Sequence, residues 1–272
     1  MPPESAAPAA DDACTVARLE TGGPPMHRSS PGIAPALALD LKRRLLRGEH
    51  LSLLGPRGSG KSTLLHALHA ALLADRVPCA LSSVTESLDD ITRALERAYP
   101  AVDTLAVSRR AARSRLWVAA DRRSGVLLLD HFHCASNATV SLLRRLHGGV
   151  AGVLTAVDVD RERERAQVRP WRYGALSVRM PATPARELRR LLHALSHRRG
   201  VPALPAGAER ALIEAARGRP GWIVECVRLA REPRYWGARG PLLSVLCLDT
   251  EAIVRYRALD LLRPAPPASA AE

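Results

Sequence analysis

Lysine is almost missing from this chain. Only Lys42 and Lys61 occur, so 38 of the 40 basic residues are arginine. With abundant Ala, Pro and Gly, that skew reads as the imprint of GC-rich codons rather than selection for arginine chemistry. A lysine that persists against it marks a place where an ammonium is wanted, and Lys61 is such a place. Long apolar runs are missing too. None approaches the ~18 uninterrupted apolar residues of a membrane-spanning helix, so no membrane partner is expected. Cysteine is sparse: Cys14, Cys79, Cys134, Cys226 and Cys247 are odd in number, widely spaced and never CxxC. That pattern excludes a disulfide framework or a zinc ribbon and predicts a reduced, cytoplasmic setting. The opening MPPESAAPAADD has neither a basic start nor an apolar h-region, so no secretion signal is expected.

What is present fits an ordinary globular chain. Its 272 residues are 47% hydrophobic and 25% charged, enough for one generous domain or two small ones. The net charge of +13 creates a field that attracts polyanions, which makes duplex DNA a candidate partner. Residues 1–35, rich in Ala, Pro, Gly and Ser, read as a flexible leader, and 264–272 as a disordered tail.

Between these ends, apolar runs alternate with helical spacing. Strand candidates begin at His50-LSLL-Gly55, Pro78-CALSS, Val126-LLL-Asp130, Val150-AGVLTAV and Ala175-LSVRM. Helical stripes lie between them: Leu64, Leu65, Leu68 and Leu72, then Leu88 to Ala98, Arg109 to Asp121, and the run around Val140, Leu143 and Leu146. Five strands separated by helices predict a parallel sheet covered on both faces, an α/β domain over 36–183. After Pro184 the strand signal stops. Leu188, Leu191, Leu192 and Leu195 form a stripe ended by Gly200 and Pro202, and helices follow at Ala208–Arg217, Trp222–Ala230 and Thr250–Leu262. A small all-helical domain is therefore expected over 184–263.

The chemistry is announced by Gly55-Pro56-Arg57-Gly58-Ser59-Gly60-Lys61-Ser62-Thr63, which matches GxxxxGK[ST] between an apolar strand and a helix. Small residues let successive backbone N–H groups wrap a phosphate at the helix N-terminus. Lys61 then reaches β- and γ-phosphate oxygens, and the Ser62 hydroxyl is the expected Mg²⁺ ligand. About 70 residues on, with a strand between, Asp130 ends an apolar strand and is the expected second Mg²⁺ contact, through water. No NKxD guanine reader occurs, so the nucleotide expected is ATP.

These motifs resemble the AAA+ superfamily, within the additional-strand division of P-loop proteins that also holds the STAND ATPases. The resemblance spans about Leu37 to Leu262 and is strongest to bacterial transposition-helper, secretion and origin-recognition ATPases. It implies a Walker A loop at Gly55 to Ser62, a Walker B strand at Val126 to Asp130, and a helical lid. It implies a polar sensor at the end of the fourth strand, Thr155, with Asp158 as the alternative. An arginine finger between the fourth and fifth strands would be Arg169 or Arg172, and the lid's sensor arginine would be Arg219. Gly218-Arg219-Pro220 equally resembles the GxP turn of STAND proteins, where proline simply starts a helix. One departure stands out: the glutamate expected after Asp130, which activates the attacking water, is His131. Three readings follow: His131 substitutes for it, Glu86 or another acid near the second strand serves, or the protein binds ATP and hydrolyses it slowly.

Weaker signals weigh toward ordinary structure. His131, His133, Cys134 and His147 match no standard zinc spacing. His66 and His69 read as a solvated or packed helix face. The basic helix from Arg109, with Trp117, could follow a phosphate backbone, but a solvated helix with a buried Trp is the plainer account. Arg161 to Arg169 alternate charge like an exposed segment. The expectation is an oligomeric, Mg²⁺-dependent ATPase whose nucleotide state controls assembly on DNA or a protein partner. The alternative is a STAND-like switch that binds ATP with little turnover, although the chain leaves little length for a sensor or effector domain. A small-molecule kinase finds no acceptor-binding carboxylate.

Overall fold

The computed structural model describes residues 35–83, 85, 87–105, 107–122, 125–132, 136–145, 152–159, 174–238 and 240–260. All belong to the unit Pro31–Glu272. The leader up to residue 34, the tail, Glu86, His133, Cys134, His147, Arg161, Arg169 and Arg172 lie outside the described residues.

The chain runs α1 (Pro35–Leu46), β1 (His50–Gly55), α2 (Lys61–Ala74), β2 (Cys79–Ser82), α3 (Leu88–Ala98), α4 (Arg109–Arg122), β3 (Val126–Leu129), α5 (Asn137–Arg145), β4 (Gly152–Asp158) and β5 (Leu176–Arg179). The five strands form one parallel sheet in the order β2-β3-β4-β1-β5. Strands buried on both faces carry near-continuous apolar sequence, which is why β1, β3 and β4 read as runs rather than alternations and are buried at every residue. Alternate side chains serve opposite layers. Leu51, Leu53, Leu128, Leu154 and Ala156 pack with Leu41 and Leu45 of α1 and with Leu64, Leu65, Leu68 and Leu72 of α2. Leu54, Leu127, Leu129, Val153 and Val157 pack with Ile91 and Leu95 of α3, Leu116 and Trp117 of α4, and Leu143 of α5.

Local sequence sets the ends. Ser87 caps α3, its hydroxyl accepting from the Asp90 N–H at 3.2 Å, with Asp89 and Asp90 in the first turn where the helix dipole favours them. Gly152, opening β4, has no room for a Cβ: an added methyl would lie 2.2 Å from the Leu45 carbonyl oxygen. There α1 sits directly on the sheet.

After β5 come α6 (Ala185–Arg199), α7 (Ala206–Ala216), α8 (Pro220–Leu229) and α9 (Leu243–Asp260). Their shared core includes Leu188, Leu192, Leu212, Trp222, Ile223 and Leu246. Gly200 ends α6 in the left-handed conformation, φ 66°, which glycine adopts without strain. One two-residue antiparallel pair, β6 (Trp236–Gly237) with β7 (Gly240–Pro241), lies among these helices. Strands that short leave no alternation to read. Two helices outrun their sequence signals. α1 was not marked by any stripe, and α9 begins at Leu243 rather than Thr250. In α9 apolar residues occupy both faces: Leu246 is fully buried while Leu248 is 71% exposed, so no amphipathic period marks its first half. Among the described residues, no helix is long and apolar enough to cross a membrane.

Candidate functional site

The loop from Pro56 to Gly60 joins the end of β1 to the start of α2 at the carboxyl edge of the sheet. Gly58 (φ 76°) and Gly60 (φ 95°) are both left-handed, so the motif's glycines are needed for backbone shape. Gly60 caps α2 and its carbonyl accepts the first helical bond from the Leu64 N–H at 2.9 Å. Lys61 is buried at 7% exposure. Its ammonium donates to the carbonyls of Gly55 at 2.8 Å and Pro56 at 2.9 Å, and meets Asp158 Oδ1 at 2.6 Å. The other Asp158 oxygen accepts from Arg57 Nε at 3.0 Å. Arg57 Nη1 also donates to the carbonyl of Arg255 in α9.

The fourth strand's end is therefore held by Asp158, paired in register with Gly55. Thr155 lies mid-strand, opposite Ser52 and Leu129, fully buried, with its hydroxyl directed to the Leu51 carbonyl at 3.4 Å. Its expected placement at the strand's tip is corrected: the ladder with β1 carries β4 three residues further, and the alternative, Asp158, stands there.

Asp130 follows β3, buried, its N–H donating to the Ser82 carbonyl at 2.9 Å. Its Oδ1 accepts from the His131 N–H at 2.9 Å. His131 has φ 49°, a conformation non-glycine residues rarely take. Its ring Nε2 lies 3.8 Å from Asp130 Oδ2 and the side chain is 42% exposed. Sequence reasoning missed Thr85. This buried hydroxyl, in the segment after β2, points to the carbonyls of both Asp130 (3.2 Å) and His131 (3.1 Å) and holds the bend. One strand, β4, separates β1 from β3. The Lys61 loop and Asp130 thus stand about 10 Å apart by strand spacing, on the edge where open parallel sheets bind ligands.

Residues 46–159, which hold the phosphate loop, Asp130 and Asp158, match the model of the family described as AAA domain. Over that stretch the chain is similar to AAA domains. Comparison with curated proteins returns no match. Among solved structures, a variant of Thermotoga maritima RuvB aligns at 19% identity over 80% of this chain and 67% of that one, TM-score 0.45. Domain III of the T. maritima replication initiation protein DnaA aligns at 14% over 73% and 82%, TM-score 0.46. AMPPCP-bound DnaA from Aquifex aeolicus aligns at 16% over 75% and 63%, TM-score 0.46.

The sheet region meets the helical region at the phosphate loop itself. The Gly221 N–H, at the start of α8, donates to the Gly58 carbonyl at 2.8 Å. Pro220 is the first residue of that helix, where its fixed φ and missing N–H cost nothing. Arg219, just before it, is buried and fully engaged. Its guanidinium donates to Glu251 Oε2 at 2.7 Å and Oε1 at 3.2 Å, and to the Ala216 carbonyl at 3.0 Å, closing the C-terminus of α7. Trp222 Nε1 donates to the same carboxylate at 3.1 Å. Between this network and Arg57 lies a cavity of about 850 Å³, walled also by Arg217, Leu248 and Tyr256.

Hydrogen bonds from Arg219 hold the Glu251 carboxyl below its ordinary range, against the opposing effect of burial, with Arg255 adding to the shift. A depressed carboxylate stabilises the fold fully above its unfolded pKa of about 4.3 and loses that contribution as pH falls through the folded value. Melting temperature is therefore expected to fall more steeply below about pH 4 in wild type than in Glu251→Gln. Parallel curves for the two proteins would show that the pair adds no acid-sensitive stability.

Other sequence candidates take structural places. Trp117 is buried, and three arginines of α4 are tied down: Arg109 to Glu96, Arg113 to Asp89, and Arg115 to the Asp103 carbonyl. His69 lies 3.2 Å from the Cys79 carbonyl, while His66 is exposed. No group of three His, Cys, Asp or Glu that could hold a metal occurs among the described residues. Cys79, Cys226 and Cys247 are free, and burial pushes the Cys79 and Cys226 thiols up to about 12, leaving them unreactive.

Proposed function

We propose that this chain is a cytoplasmic, ATP-binding AAA+ ATPase whose nucleotide state controls its assembly on duplex DNA or a protein partner, with slow or partner-stimulated hydrolysis. The observation that carries the reading is the buried Lys61 ammonium inside the glycine-shaped loop at the N-terminus of α2. The free N–H groups of that helix end and the ammonium are the elements a triphosphate requires.

Mg²⁺ fits the donor set: a half-buried Ser62 hydroxyl and the Asp130 carboxylate are both oxygen ligands, and this ion keeps most of its waters. When bound it neutralises charge on the β- and γ-phosphate oxygens. The chain's own residues do the rest. Lys61 would pass from Asp158 to phosphate, Asp130 with Ser62 would hold the ion, and Asp158 stands at the fourth strand's end, where the sensor is expected. His131, carrying no fixed negative charge when neutral, is a weaker activator of water than glutamate, which supports slow turnover. Trans-acting arginines, Arg169 or Arg172, complete the site from a neighbouring subunit in this reading. The +13 charge supports DNA as the surface on which subunits gather. The second reading, a STAND-like switch, is favoured by one contact: the Gly221–Gly58 bond ties the residue that follows Gly218-Arg219-Pro220 to the phosphate loop.

Steady-state ATP turnover with and without duplex DNA separates the two, with Lys61→Ala as the blank. The proposal expects Lys61-dependent turnover that rises at least about tenfold on DNA, the scale that completing an active site in trans allows. Tight ATP binding without turnover in either condition would favour the switch.

A further inference from the structure

We propose that Asp158 is a specificity-determining residue of the nucleotide site: a built-in competitor for the Lys61 ammonium that only an oligophosphate displaces. The proposal rests on the ATP-binding reading. An ammonium has three N–H donors, and here three acceptors meet it: the Gly55 carbonyl, the Pro56 carbonyl and Asp158 Oδ1 at 2.6 Å. The protein's own groups satisfy this lysine, within a pair whose side chains are each 8% exposed. Phosphate must therefore take Lys61 from a buried carboxylate, not from water.

Asp158 cannot simply swing away, because Arg57 Nε holds its other oxygen at 3.0 Å and Arg57 is anchored in turn on the Arg255 carbonyl of α9. Once Lys61 has left, the carboxylate remains beside incoming phosphate oxygens as a like charge, softened by Arg57. Both effects lower affinity; the cost of freeing Lys61 is the same for every ligand, so it weighs most on those with few phosphate oxygens to offer the ammonium in return. A site built this way rejects monophosphates and inorganic phosphate and admits polyphosphorylated nucleotides.

The test is equilibrium binding of mant-ATP, with ADP, AMP and inorganic phosphate as competitors. It is made on wild type, Asp158→Asn, Asp158→Glu, the Arg57→Gln/Asp158→Asn double variant, and Lys61→Ala. Asp158→Asn is expected to tighten mant-ATP binding at least about tenfold, equivalent to about 1.4 kcal/mol, and AMP by a larger factor. Asp158→Glu, which keeps the charge, should show no such gain. Should Asp158→Asn fold poorly around an uncompensated Arg57, the double variant buries no unpaired guanidinium and must show the same gain. Lys61-dependent binding in wild type with no gain in either asparagine variant would overturn the proposal while leaving the ATP reading intact. Binding indifferent to Lys61 would overturn both.

Discussion

Lys61→Ala is expected to weaken Mg·ATP binding by at least about 100-fold. A net charge-assisted hydrogen bond is worth about 1.5–3 kcal/mol, and in the proposed complex this ammonium serves both β- and γ-phosphate oxygens. Two such contacts correspond to roughly 10²–10⁴ in affinity. Wild type does not realise the whole sum, because its Lys61 leaves Asp158 on binding; alanine has no such contact to lose. The variant should still fold. Arg57 keeps Asp158 compensated at 3.0 Å, and the ammonium's other partners, the Gly55 and Pro56 carbonyls, lie in a loop that shares the half-buried Pro56 with solvent. Titration calorimetry with Mg·ATP, alongside a melting curve, makes the measurement. Affinity within threefold of wild type in a folded protein would remove Lys61, and with it the phosphate loop, from the site.

How far the sequence could be read follows from what its signals encode. Parallel strands between helices keep apolar runs of the right length, so all five strands were legible, as was the phosphate loop, whose seven-residue spacing is local. Contacts made by topology were not. Arg57 and Asp158 are 101 residues apart and meet only because β4 lies beside β1. Composition cannot supply that neighbour, and the same uncertainty placed the sensor at Thr155. Polarity suggested threonine inside an apolar run, but strand length depends on pairing, and pairing extends to Asp158. The Arg219–Glu251 pair spans 32 residues and two helices, so arginine's general abundance hid a partnered one. Thr85 had no signal at all, since a lone threonine acting on two carbonyls resembles any other loop threonine. The left-handed backbone at His131 is likewise invisible in a sequence, where only the missing glutamate could be noticed.

Gly221→Ala should be a damaging single-methyl change where the helical region meets the phosphate loop. A Cβ there would lie 2.8 Å from Gly58 Cα and 3.0 Å from the Gly58 carbonyl oxygen. Both are backbone atoms of a loop whose φ of 76° at Gly58 already leaves little freedom. Neither side can yield by rotating a side chain, so the first turn of α8 must move off the phosphate loop. Overpacking of this kind costs about 1–3 kcal/mol, and stretching the 2.8 Å Gly221–Gly58 hydrogen bond adds about 0.5–1.5 kcal/mol. For a domain of this size, a loss of about 2–4 kcal/mol corresponds to a fall in Tm of roughly 5–15 °C. The functional consequence separates this contact from ordinary packing. If α8 reports the loop's state to the helical region, Gly221→Ala should also abolish the change in Trp222 fluorescence on adding Mg·ATP, since that indole follows Gly221 directly and bonds to Glu251. A lower Tm with the ATP-induced fluorescence change intact would make the glycine pair a packing requirement alone. Loss of both would make it the joint through which nucleotide moves the helices.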